Sequence, residues 1–115
     1  MTLDELRAYC LKKPGVTEDL PFGPETLVFR VAGKLFALTG VYDFRTVNLK
    51  CDPERAADLR ERYDAITPGY HMNKKHWNTV DTRAGLSEKL LRELIDHSYE
   101  LVRDSLPTKV KEELQ

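Results

Sequence analysis

The chain has 115 residues, 41% hydrophobic and 32% charged, with a formal net charge of −1. That composition excludes a disordered tail and speaks against a general nucleic-acid coat, while leaving a local basic face open. The length suits one domain, residues 1–115, with a core that needs no metal or disulfide staple.

Along the chain, Thr2 and Glu5 form a capping-box pair, and Leu3, Leu6 and Cys10 recur at helical spacing until Pro14-Gly15 ends the helix. Residues 17–25, with Pro21, Gly23 and Pro24, read as a loop in which Phe22 is buried, the alternative being that this loop borders a cleft. Thr26–Val31 alternates as a strand, Ala32-Gly33 makes a two-residue turn, 34–39 returns, and 46–51 is a third strand. On that third strand Val47, Leu49 and Cys51 share one face, and Thr46, Asn48 and Lys50 the other. Asp52-Pro53-Glu54 starts a second helix, with Ala56, Leu59 and Tyr63 as its inner stripe. A short extended piece around Ile66 leads to Pro68-Gly69 and the polar-aromatic run of residues 70–80, whose second half is a strand. Ser87 caps the last long helix, lined inward by Leu90, Leu91, Leu94, Ile95, Ser98, Leu101 and Val102, and Pro107 opens a short final turn.

This order, α-β-β-β-α-β-β-α, predicts a two-layer α+β fold: a mostly antiparallel sheet covered by helices on one face and open on the other. Both faces of the first hairpin carry apolar groups, Leu27, Phe29 and Val31 on one, Val28 with Phe36 or Leu38 on the other. An open face so apolar calls for something to cover part of it.

Charge is unevenly placed. Residues 26–50 hold Arg30, Lys34, Arg45 and Lys50 against Asp43, and residues 65–83 hold Lys74, Lys75 and Arg83 against Asp81. The strand-forming parts thus carry a net +5, and the rest carries −6. Such a basic sheet with aromatics interleaved offers phosphate contacts from Arg30, Lys50, Lys74 and Lys75, with Trp77 or Tyr70 stacking on a base. The competing reading is that these lysines are merely solvated and Trp77 anchors the core.

Other motifs point to structure. His71 and His76 face each other if Asn73-Lys74 is a hairpin turn, an arrangement that Asn73 capping a helical turn would break; these histidines read as structural or partner-contact groups, with no metal expected. Cys51 and Cys10 lie on apolar faces and read as buried thiols; their spacing gives neither a zinc signature nor a disulfide framework. No nucleophile elbow, phosphate-cradling loop or carboxylate pair is present in the sequence. The N-terminus lacks a signal-peptide pattern, and no apolar run reaches the ~20 residues needed to cross a bilayer. These points set the expectation of a cytoplasmic protein, not an enzyme, with no cofactor and no membrane partner.

Five segments resemble the MmcQ/YjbR family: Pro21-Phe22-Gly23; Val28-Phe29-Arg30-Val31 with Gly33-Lys34-Leu35-Phe36-Ala37; Asn48-Leu49-Lys50-Cys51-Asp52-Pro53; residues 70–80; and Ser98-Tyr99-Glu100-Leu101-Val102. The resemblance implies a two-layer α+β fold similar to secretion chaperones. It also implies DNA binding, by analogy with a double-wing sheet motif, and supplies no catalytic residues. The expected function is therefore a non-enzymatic DNA-binding module using a basic open sheet face. Its candidate contacts are Arg30, Arg45, Lys50, His71, Asn73, Lys74, Lys75, His76, Trp77 and Asn78. The alternatives are a protein-interaction or homodimer module of secretion-chaperone type, and a small-ligand site within residues 70–78.

Overall fold

A computed structural model describes residues 1–70 and 72–114. Helix α1 (Leu3–Leu11) precedes four strands, β1 (Val16–Asp19), β2 (Thr26–Val31), β3 (Lys34–Gly40) and β4 (Thr46–Lys50). Then come α2 (Pro53–Arg62), β5 (Ile66–Pro68), β6 (Trp77–Asp81), α3 (Glu88–Asp104) and α4 (Thr108–Glu113). The sheet order is β1-β2-β3-β4-β6-β5, and every neighbouring pair is antiparallel. Helix α2 carries the chain over β6's position to the far edge, and β6 returns into the gap. The α+β class read from the sequence is thus the architecture observed.

Local chemistry sets the helix starts. Thr2 Oγ1 accepts from the Glu5 amide while Glu5 Oε1 accepts from the Thr2 amide, both at 3.1 Å. Asp52 accepts from the Arg55 amide at 3.2 Å ahead of Pro53, and Ser87 from the Leu90 amide at 3.1 Å. Ala32 (φ 47°) and Gly33 (φ 85°) both take the left-handed region, which makes the β2–β3 turn type I′.

Three features depart from the sequence reading. The segment Val16–Asp19, whose residues 17–19 were expected to open a loop, is an edge strand on β2. Its two acids weaken its intrinsic preference for a strand, but β2 needs a ladder partner on that side and Arg7 of α1 grips Glu18. A bulge at Phe29/Arg30 pairs Phe29 with Ala37 and Arg30 with Leu35, so Phe36 is the extra residue. It turns into the helix-side core, edge-on to Tyr99 at 5.5 Å between centroids, and leaves Leu38 to the open face. Finally, Phe22 is not buried but 68% exposed.

Helix α3 lies across β2, β3 and β4, with α1 against β1 and α2 against β5. The core under the helices gathers Leu6, Leu27, Phe29, Phe36, Val47, Leu49, Ile66, Val80, Leu94, Ile95 and Val102. Tyr9 donates to Asp96 Oδ1 at 2.7 Å and Lys13 pairs with the same carboxylate, tying α1 to α3. Burial, then the bond to Asp96, pushes the Tyr9 phenol up to about 12.

Candidate nucleic-acid interface

Register assigns the open face. Val28, Leu38, Asn48 and Thr79 form one row across β2, β3, β4 and β6, and Lys50 stands beside Trp77 in the next. Their strand neighbours Leu27, Phe29, Val47, Leu49, Asn78 and Val80 point the other way, toward the helices.

The candidate cations divide into two sets. Arg30 is on the open face but its Nε donates to Asp19 Oδ1 at 3.2 Å and its Nη1 to the Gly33 carbonyl at 3.3 Å. Arg45 donates to Asp81 Oδ2 at 3.0 Å, at the other end of β4. The Arg83 amide, with Arg45, holds the Asp81 carboxyl below its ordinary value. Each of these two arginines is therefore paired with an acid of a neighbouring strand, which the count of charge by segment did not show. Lys50, Lys74 and Lys75 form no ion pair among the described residues. They gather at one corner: Lys50 in register with the half-exposed Trp77, the other two in the turn that leads into it.

That turn is helical. The Asn73 carbonyl accepts from the His76 and Trp77 amides at 3.2 and 2.9 Å, and Asn73 Oδ1 from the Lys75 amide at 2.9 Å. Asn73 is thus occupied with its own turn, and the two-residue hairpin at Asn73-Lys74 is not formed. His76 is half-buried, its carbonyl accepting from the Cys51 amide at 2.8 Å. His71 lies outside the described residues. Asn78 is corrected outright as a contact: 2% exposed, it faces the helices, its Oδ1 accepting from Arg60 Nε at 2.6 Å.

Arg60 is the residue that sequence reasoning missed. Besides Asn78, its guanidinium donates to the Trp77 carbonyl at 3.2 Å and to the Lys74 carbonyl, so α2 clamps the loop that bears Lys74, Lys75 and Trp77. In the sequence nothing separates Arg60 from its neighbour Arg62, which sits 67% exposed beside Asp58.

Next to the cationic corner the open face is concave. A cavity of about 470 Å³ is lined by Phe22, Thr26, Leu38, Asn48, Tyr70 and Met72. Phe22 on one side and Tyr70 with Met72 on the other form its rims, and both aromatic rings are largely exposed, at 68% and 69%. Beside it, Thr79 Oγ1 accepts from the Tyr70 amide at 2.9 Å and donates to Asn48 Oδ1, which ties the lining residue Asn48 to β6. Val28, on this side of the sheet and outside the main core, is fully buried. The two thiols are buried as expected, and burial pushes Cys10 up to about 12 and raises Cys51.

A model of the YjbR family matches residues 11–101. Among curated proteins, the chain is 45% identical over 97 residues to the Uncharacterized protein YbdF of Escherichia coli O157:H7, covering 84% of this chain and 80% of that protein. It is 34% identical over 108 residues to the Uncharacterized protein YjbR of E. coli K12, covering 93% and 92%. The crystal structure of Deinococcus radiodurans protein DR2400 superposes with a TM-score of 0.91 at 39% identity, over 98% of this chain and 87% of that one. A Pseudomonas syringae protein structure does so at 0.75 and 32%, over 89% and 99%. No helix among the described residues is long and apolar enough to cross a membrane. On the family match and the extent of these likenesses, the chain belongs to the YjbR family.

Proposed function

We propose that the protein is a non-enzymatic binding module that holds a nucleic acid against one corner of its open sheet face. The observation that carries this reading is the gathering of Lys50, Lys74 and Lys75, none paired with an acid among the described residues, around Trp77. Each lysine is a point charge for a phosphate, and Trp77 supplies an aromatic surface beside them. The reading is narrower than a basic sheet, because Arg30 and Arg45 are occupied by Asp19 and Asp81.

The test is fluorescence anisotropy with a labelled DNA oligonucleotide at several salt concentrations. Three neutralised phosphates predict a log–log salt slope of about −2 to −3, reduced by about one in Lys50→Gln. Absence of binding at tens of micromolar protein in 50 mM salt, roughly where non-specific binders respond, would remove the reading.

The exposed rings of Phe22 and Tyr70 favour a second reading, a protein partner or second copy seated on the same face. Light scattering that shows a concentration-dependent dimer, abolished by Phe22→Ser, would select it.

A further inference from the structure

The geometry points to the aromatic-rimmed cavity as the seat of a single unstacked nucleobase, making the preferred ligand a single strand and not a duplex. This rests on the nucleic-acid reading above and adds to it where the base goes. Three observations converge on it.

The first is shape. The cavity is recessed between Phe22 on one side and Tyr70 and Met72 on the other, with Leu38 and Asn48 of the sheet at its floor. A paired base has its Watson–Crick edge and both faces occupied within the helix and cannot enter such a recess; a base out of the stack can. At about 470 Å³ it takes a base together with its sugar.

The second is chemistry. The rims supply two aromatic rings and the Met72 thioether for a π-face, and the lining's polar side chains, the Asn48 amide and the Thr26 hydroxyl, are of the kind that hydrogen-bonds a base edge.

The third is the cations' position. Lys50 follows Asn48 by two residues on the same face of β4, roughly 7 Å along the strand. That is near the distance from a nucleobase to its own phosphate. The phosphate of a seated nucleotide, or of the next one along, therefore arrives at Lys50, and the strand continues over Trp77 toward Lys74 and Lys75.

The experiment is an anisotropy titration of labelled octamers at fixed salt: single-stranded DNA, the same strand with every base removed, and the matching duplex. Free deoxynucleoside monophosphates are added as competitors. Intact single strand should bind about tenfold more tightly than the abasic strand, and more tightly than duplex. Phe22→Ala, a change at an exposed ring that leaves the core intact, should remove about the same factor without altering the salt slope. Lys50→Gln should lower the slope while keeping the preference for bases. Equal affinity for intact and abasic strands, a preference for duplex, or no effect of Phe22→Ala would overturn the base seat while leaving phosphate binding standing. Failure of every oligonucleotide to bind would instead remove the underlying reading. A free nucleotide binding as tightly as the octamer would assign the cavity to a small ligand and overturn the strand.

Discussion

Ser98, fully buried on α3, donates its hydroxyl to the carbonyl of Phe36 and accepts the amide of Lys50 at 2.9 Å. The two backbone groups belong to adjacent strands, but the β3–β4 ladder ends at Ala37 and Leu49. The bulge that turned Phe36 into the core leaves its carbonyl without a strand partner, and one helix hydroxyl bridges the opening. Ser98→Ala would leave both groups buried and unpaired, a destabilisation of about 1–3 kcal/mol. It should appear as a lower urea midpoint with an unchanged m-value.

Ala32 sits at φ 47° in the β2–β3 turn, where a Cβ meets the following carbonyl. Ala32→Gly should relieve that strain and stabilise the fold by about 1 kcal/mol, less the added flexibility of the unfolded chain. Thermal unfolding checks this, and a lower melting temperature would show that the turn tolerates alanine without strain.

His97 Nε2 accepts from the Asp52 amide at 3.2 Å, which requires the unprotonated ring. Burial, then the charge of Arg55, lowers its pKa against the smaller opposing pull of Asp52 and Glu100. A base with a depressed folded pKa gives stability that is complete above its unfolded value, about 6.5, and is lost as pH falls through the folded one. Denaturant stability of the native chain should therefore decline from pH 7 to 5 more steeply than that of His97→Gln, which keeps an acceptor but does not titrate. Parallel curves over that window would show that His97 does not sense pH.

Arg60→Met keeps the side chain's length and removes the clamp. The buried Asn78 Oδ1 and the carbonyls of Lys74 and Trp77 lose their donor. The loss is about 1.5–3 kcal/mol, as for a hydrogen bond to a charged group. Because Trp77 is the only tryptophan in the chain, its emission reports the loop directly. The emission maximum should shift to longer wavelength under native conditions, and oligonucleotide binding should weaken even though Arg60 itself makes no phosphate contact. An unchanged emission spectrum would mean that the turn holds itself through Asn73.

The helix caps, the type I′ turn and the alternation on β2 and β4 were legible in the sequence because each depends on a few neighbouring residues. Thr2 with Glu5, Asp52 with Pro53, and Ser87 satisfy their own helix starts. The β1 strand was not legible, since its cause is the unpaired edge of β2 and the grip of Arg7, distant in sequence. The placing of Phe36 was equally hidden: alternation continued through β3 puts it on the open face, and only the bulge reverses it.

The site was legible in part. The sequence marked Lys50, Lys74, Lys75 and Trp77, but it gave the same weight to Arg30 and Arg45. An ion pair depends on which acid a partner strand places alongside, and no count of charge by segment carries that information. Asn78 was misplaced because the segment's polar character hid the simple parity of β6, by which Asn78 and Val80 share the helix side and Trp77 and Thr79 the other.

The sequence by itself determined the class of fold, the order of most elements and which strand faces are apolar, since these follow from local spacing, caps and turns. Only the tertiary structure decided which cations stay unpaired among the described residues, that Arg60 clamps the loop, and that Phe22 and Tyr70 rim a cavity across the sheet from each other's chain segments. The physical reason is that pairing and concavity are properties of groups tens of residues apart, brought together by strand register and helix packing.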